Sequence, residues 1–384
     1  MAPMPSAPRF IAALLRPRRL FIVAAAVLVG SLVAGLAAIC VVFAASGVDP
    51  FYALYRIFAG SFGSVYGLGE TVTKAIPLIL IGAGLAFVFR AKFWNIGAEG
   101  QLLAGATAAT WIGLNVHLPG PLLVALMFLA GFTAGAAWGA LLALFKARFG
   151  VNEVISSLML NYIAYELITL LITGPWKGPT QHGFPYTDDF SRAASLAVLP
   201  GTRIHLVTLA LALASAAALY LLLRSSRLGY ELRVLGENRE AARYAGIDLL
   251  RVSALAMVLS GGVAGLAGVG EVAGIHHHLS YPTAISSGYG FTAILVAWLA
   301  KLNPLAAIAS GFFYAGILVG GDAIQVSLGL PAATVQVFNG VLLVFLIGGD
   351  FFLHNRVRLV RTAGPAAGAP GSPGCPAPGA GGGT

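Results

Sequence analysis

The chain has 384 residues, of which 58% are hydrophobic and 10% charged, with 23 Lys and Arg against 14 Asp and Glu for a formal net charge of +9. An ordinary soluble domain is about a quarter charged, so the composition excludes a soluble globular fold. In a membrane protein the positive excess reports orientation rather than affinity for nucleic acid.

Apolar runs approaching the ~20 residues that cross a ~30 Å hydrocarbon core fall, in chain order, near 20–46, 72–89, 102–117, 121–145, 154–173, 204–223, 252–274, 285–300, 304–321 and 333–349. The fold class read from them is all-α: a polytopic transmembrane helix bundle of about ten spans, or eight or nine if the shortest runs do not cross. A basic segment at 1–19 precedes the bundle at 20–350. A basic stretch and a Pro/Gly/Ala-rich tail occupy 351–384, and the tail's composition predicts disorder. The first run is about twice the length of a signal-peptide core, so it is read as a retained span. Cys40 and Cys375 are too few and too far apart to build a disulfide framework or a metal site.

Ten spans leave only Arg56, Lys74, Lys177, Arg192 and Arg203 on one side, and the other eighteen of the 23 basic residues share the opposite side. By the positive-inside rule the crowded side is the cytoplasm, with both termini there. The outer segments 47–71 and 174–203 are read as connecting loops with interfacial aromatics, or as contacts for an extracytoplasmic partner. Gly131, Gly135 and Gly139, and further on Gly261, Gly265 and Gly268, predict close helix–helix contacts, because small residues let backbones approach in lipid.

One run is polar at helical spacing: Ser157, Asn161, Tyr162, Tyr165, Glu166, Thr169 and Thr173. Such a stripe faces either a water-filled path or other protein, since a charge at mid-membrane costs about 2.5–3.5 kcal/mol. Asn161, Tyr165 and Glu166 are candidate path residues, joined by Gln336 and Asn339 from the last run. Glu271 is a further intramembrane polar candidate, with a place near the outer interface as the alternative, and His276, His277 and His278 are expected in a solvated outer loop with no metal-ligand spacing around them. The phosphate-cradling GxxxxGK[ST] segment is absent, as are HExxH and GxSxG, so no catalytic residue is assigned. Sparse intramembrane charge argues against a proton relay.

The longest cytoplasmic connection, 224–251, contains GENREAARYAGI at 236–247. Asn238 is a good N-cap, Glu240 suits the first turn, Arg243 lies towards the last, and Gly246 can end the helix left-handed. The residues alone predict a short surface helix, with or without a docked partner.

Gly236, Asn238, Ala241, Ala242, Tyr244, Gly246 and Ile247 resemble the coupling helix of permease subunits of ATP-binding-cassette importers, in the branch that includes branched-chain amino acid, ribose and nucleoside permeases. FWNIGAEGQL at 93–102, GVNEVISSLMLNYIA at 150–164 and GYGFTAILVAWLAKLNPL at 288–305 are similar to segments of one of the two permeases in nucleoside and simple-sugar importers. The resemblance covers about 70–350. It implies that Gly236, Glu237, Asn238, Arg239, Glu240, Ala241, Ala242, Arg243, Tyr244, Ala245, Gly246 and Ile247 dock on an ATPase subunit, which alone binds ATP and Mg²⁺. Asn95, Ile96, Gly97, Ala98, Glu99, Gly100 and Gln101 are the family signature. Sister permeases read closer to N-I-G-x-E-G-M there, which implies a heterodimer with a second permease.

An extracytoplasmic solute-binding lipoprotein and a location in the cytoplasmic membrane follow from the same resemblance. Arg239-Glu240 departs from relatives in which a Pro is common after the Asn, and the triple histidine is unusual. The implied activity is uptake of a small polar solute by alternating access. A nucleoside is the expectation, a ribose-type sugar or a branched-chain amino acid the alternatives, and an ATPase-independent carrier or channel the reading from another class.

Overall fold

The computed structural model describes residues 30, 33–45, 47–331, 333, 337, 340, 341, 344, 345 and 348. Gln336, Asn339 and most of the tenth expected span therefore lie outside the described residues, as do both chain ends. The helices are α1 (Val33–Ala45), α2 (Pro50–Phe62), α3 (Val65–Phe89), α4 (Ala98–Asn115), α5 (Gly120–Phe149), α6 (Glu153–Thr173), α7 (Leu206–Ser225), α8 (Arg227–Glu237), α9 (Arg239–Tyr244), α10 (Leu249–Glu271), α11 (Pro282–Ser286), α12 (Tyr289–Leu299) and α13 (Ala306–Leu328). A short π-helical segment, Val272–His276, extends α10. No β-strand forms among the described residues.

Local chemistry sets where several helices start. Asp49 accepts the backbone N–H groups of Phe51 and Tyr52 with Pro50 in the first turn of α2. Asn152 caps α6, and Asp248 caps α10 through the N–H groups of Leu250 and Arg251. Each cap satisfies donors that have no partner inside the helix.

Six described helices are long and apolar enough to cross a membrane: α3, α5, α6, α7, α10 with its π-helical extension, and α13. The bent pair α1–α2, folded through 114°, makes a seventh if it is one span. The expected span at 285–300 is replaced by two short helices. α11 ends at Ser286, Ser287 and Gly288 follow with φ of 44° and 73°, and α12 then runs for 11 residues. Eleven residues reach only ~16 Å, about half a hydrocarbon core, and the polar Ser-Ser-Gly break is the reason. The expected outer loop at 47–71 is also corrected, because the Asp49-Pro50 and Ser64 start signals make it α2 and the beginning of α3.

α3 and α10 form the centre of the bundle and are buried along most of their length. The two glycine stripes meet each other. A Cβ on Gly265 would overlap the Gly131 carbonyl oxygen, and one on Gly135 would overlap that of Gly261, while Gly105 of α4 lies equally close to Gly265. Three helices thus touch backbone to backbone. Among apolar helices in apolar solvent this close dispersion contact replaces the hydrophobic drive that holds soluble bundles.

The basic side and its opposite separate in space. Segments 90–97 and 226–248 meet at one end, where Arg239 Nη2 donates to the Lys92 carbonyl at 3.4 Å and Lys146 pairs with Glu153. At the other end Arg203 lies 3.7 Å from Glu70, and Lys74 pairs with Asp322. Segment 174–203 folds down as a cap. Its Thr187, Phe190 and Leu196 N–H groups donate to the carbonyls of Leu279, His277 and Ala273 at 3.0, 2.7 and 2.9 Å. This corrects the solvated-loop reading of the three histidines: His276 closes the π-helix, all three rings are half-buried, and His278 Nδ1 lies 3.3 Å from Asp189. Glu271, the polar candidate of the seventh expected span, is buried at the end of α10.

Gly265→Val should lower the thermal midpoint of the detergent-solubilised protein, by the equivalent of the about 1–3 kcal/mol that overpacking costs. Gly120→Ala, whose new Cβ meets nothing nearer than 3.4 Å, should change it little in the same melt. A second expectation concerns His205, which precedes α7 and whose pKa burial pushes down to about 4. Between pH 6.5 and about 4 the unfolded chain takes up a proton that the folded His205 refuses, so stability falls as pH drops through that window. His205→Gln should flatten that part of a melting-temperature profile.

Candidate functional site

The segment after α3 turns back into the bundle. Asn95 Nδ2 reaches Ser260 Oγ at 3.4 Å, and Ser260 is the twelfth residue of α10, ~17 Å along it from the basic end. α4 therefore begins deep in the protein. Asn95 and Gln101 form a reciprocal amide pair, with Asn95 Nδ2 donating to Gln101 Oε1 at 3.1 Å and Gln101 Nε2 to Asn95 Oδ1 at 3.4 Å. Asn95 Oδ1 also accepts the Gly97 N–H at 3.0 Å. These contacts say why the signature carries amides at both positions.

Asn161, on α6, grips the same turn. Its Oδ1 accepts the Gly100 N–H and its Nδ2 donates to the Ile96 carbonyl, both at 2.9 Å. Gly100 is held so close to the Asn161 side chain that a Cβ there would meet Asn161 Oδ1 at 3.0 Å. A helix start in a dry interior leaves N–H groups unsatisfied, and here Asn161 and Asn95 satisfy two backbone donors around it.

Glu99 is fully buried in the first turn of α4. Its Oε2 accepts the N–H of Gly290, the second residue of α12, at 2.7 Å, and its Oε1 accepts the Tyr165 hydroxyl at 2.9 Å. Tyr165 Oη also lies 3.3 Å from Ser286 Oγ at the end of α11. No Lys or Arg pairs with Glu99 among the described residues. Two helix N-termini that start inside the bundle, those of α4 and α12, converge on this carboxyl group.

The α6 stripe divides by face. Ser157 and Asn161 are buried, Tyr165 and Thr169 half-buried, and Tyr162, Glu166 and Thr173 exposed. Glu166 sits two-thirds of the way along α6 with no hydrogen bond or ion pair to another described side chain.

At the basic end, α9 occupies the segment read as a surface helix. Asn238 Oδ1 accepts the N–H groups of Glu240 and Ala241 at 2.9 and 3.2 Å, and Gly246 follows with φ of 74°. Glu237, Asn238, Arg239, Glu240, Ala241, Arg243, Tyr244, Ala245 and Gly246 are exposed, Gly236 and Ala242 buried, and Ile247 half-buried. Tyr244, at 94% exposure, projects into open space. Gly236 presses on segment 90–92, where a Cβ would overlap the Arg90 carbonyl oxygen. Beside it Trp94 and Trp298 stack at 5.6 Å, with Phe89 5.5 Å from Trp94 and 6.5 Å from Trp298. The aromatic group ties the re-entrant segment to the ends of α3 and α12.

At the opposite end a pocket of about 1050 Å³ opens beneath the 174–203 cap, lined among others by Trp111, Asn115, His117, Trp176, Lys177 and Asp188. The sequence reading did not single out Ser286, Gly290 or Ser260. A signal for the first two was present, since Ser286-Ser287-Gly288 interrupts an apolar run, and interrupted hydrophobic segments mark binding sites in transporters.

Residues 67–347 match the family described as "Branched-chain amino acid transport system / permease component". The chain is 39% identical over 338 residues to the glucose ABC transporter permease protein TsgB13 of Haloferax volcanii, covering 85% of this chain and 88% of that protein. It is 32% identical over 322 residues to the guanosine ABC transporter permease protein NupP of Bacillus subtilis, covering 82% and 91%. The nucleoside ABC transporter permease protein NupB of Lactococcus lactis subsp. cremoris is 27% identical over 315 residues, covering 80% and 86%. No solved structure matches the chain at a significant level. The matched region takes in the re-entrant signature, the α6 stripe and the α9 loop together, and the chain belongs to the branched-chain amino acid transport system permease family.

Proposed function

We propose that this chain is the membrane-spanning permease subunit of an ATP-binding-cassette importer that carries a neutral, hydroxyl-bearing solute, with a nucleoside as the first choice, across the cytoplasmic membrane. The observation that carries the reading is α9: a capped, exposed helix on the basic side, seated on the 90–92 segment, in a chain whose relatives are named as permeases of such transporters. ATP and Mg²⁺ belong to the ATPase subunit, and this chain supplies no catalytic residue. Closure of that ATPase pushes on residues 236–247, and segment 90–94 with the Trp94–Trp298 stack passes the movement to α12.

A second, related permease and an extracytoplasmic binding lipoprotein complete the assembly. Exposed Glu166 supports the first of these, because a carboxylate at that depth needs protein or water rather than lipid beside it. The face of α6 that bears it suits the path between two permeases.

The guanosine and nucleoside permeases among the relatives favour a nucleoside. The glucose permease, with the higher identity, favours a simple sugar as the second reading. A branched-chain amino acid carries both an ammonium and a carboxylate, and the buried groups around Glu99 offer no cation for the latter.

Labelled guanosine uptake should disappear when the gene is deleted and return when it is restored. Glucose uptake that follows the gene instead would replace the nucleoside and leave the permease standing. In the assembled transporter, the double reversal Glu240→Arg with Arg243→Glu should leave membrane insertion normal while solute-stimulated ATP hydrolysis falls about tenfold, the effect of losing 1.4 kcal/mol at the docking contact. Unchanged stimulation would refute docking at α9.

A further inference from the structure

We propose that Tyr165, Glu99 and Ser286 form a solute-binding site midway across the membrane, one that accepts a hydroxyl donor from an uncharged ring and turns away anionic solutes. The proposal rests on the permease reading above and goes further by naming the site and the chemistry it selects.

The geometry has three parts. First, the break between α11 and α12 and the deep start of α4 meet at this cluster, through the Glu99–Gly290 bond at 2.7 Å and the Tyr165–Ser286 approach at 3.3 Å. Transporter sites form where discontinuous helices end near the bilayer midplane. Tyr165 is the thirteenth of the 21 residues of α6, ~18 Å along a helix of ~32 Å.

Second, Tyr165 reaches the open side of the cluster. Glu99 and Ser286 are fully buried, Tyr165 is half-buried, and its neighbours Tyr162 and Glu166 are exposed. Third, the protonation pattern is directional. The Tyr165 O–H is spent on Glu99 Oε1 at 2.9 Å, so what its oxygen offers to a solute is acceptor capacity. A sugar or nucleoside hydroxyl is the matching donor, and the Tyr165 ring is a flat surface for the rest of the solute. No Lys or Arg pairs with Glu99 among the described residues, and Tyr165 and Ser286 are uncharged, so the cluster offers a phosphate or carboxylate group no counter-charge. Phosphorylated sugars and nucleotides are therefore excluded.

The test uses the complete importer in proteoliposomes, with guanosine, 2′-deoxyguanosine and 3′-deoxyguanosine as one probe set and glucose with 2-deoxyglucose as the other. Tyr165→Phe should lower kcat/KM for the hydroxylated probe about 3- to 10-fold, the size of one neutral hydrogen bond, chiefly through KM. It should leave one deoxy analogue transported as well as by the wild type. Glu99→Gln should lose the same discrimination, and the double variant should be no worse than either single, because the two act as one unit. Equal losses on all probes, or additive losses, would show that the cluster only braces the helices.

A second readout does not depend on the solute. Tyr165→Cys, in a chain with Cys40 and Cys375 replaced by Ala, should react with a water-soluble thiol reagent in either the nucleotide-free or the ATP-trapped state. Failure to react in both overturns the site. If the wild type carries neither probe set, the substrate reading falls, and the thiol labelling still decides whether Tyr165 faces a path.

Discussion

A helix that starts in the middle of a bilayer has no water to bond its first N–H groups, and each one left bare in hydrocarbon costs several kcal/mol. This protein contains two helices that start inside the bundle, α4 at Ala98 and α12 at Tyr289. Three buried polar side chains bond to backbone donors around them. Asn161 accepts from Gly100, Asn95 from Gly97 and Glu99 from Gly290. Once those groups are committed, the path of segment 90–97, the depth of α4 and the seat of α12 against α4 follow.

The second organising contact is close backbone packing of α10 on α5 and α4. Glycine at 131, 135, 261 and 265 brings carbonyl oxygens to where a Cβ would otherwise stand. Side chains lock the same seam, because Phe132 presses on Gly262 and Val269 on Gly131. A rigid post of this kind beside two half-length helices suits a protein in which short elements move against a fixed frame. The two features complement each other, because the glycine contacts leave the polar residues near the breaks as the specific attachments between the frame and the short helices.

The basic end connects to that interior by a continuous series of contacts. Gly236 rests on Arg90, Arg239 donates to the Lys92 carbonyl, Trp94 stacks on Trp298, and α12 ends beside Trp298 and begins at Glu99. Arg239, the departure from relatives noted in the loop, thus has a local role in holding α9 to the re-entrant segment. Loss of proline at that position is compatible with a helix start that Asn238 already caps.

Composition and patterning alone determined that the chain is helical and membrane-embedded, that a capped helix sits at 239–244, and that glycine stripes make close contacts. Each of these is a local or one-dimensional property: run length, cap chemistry and residue size at helical spacing. The Ser286-Ser287-Gly288 break that shortens α12 is local, whereas the group that its start meets, the Glu99 side chain, was decided by tertiary structure. At 47–71 the start signals, Asp49-Pro50 and Ser64, were likewise local, and tertiary structure added the packing of α2 on α13. The division of the α6 stripe into buried Asn161, half-buried Tyr165 and exposed Glu166 was beyond the sequence. Helical spacing assigns polar residues to a face, and only the neighbours packed on that face decide which of them hold the protein together and which remain open.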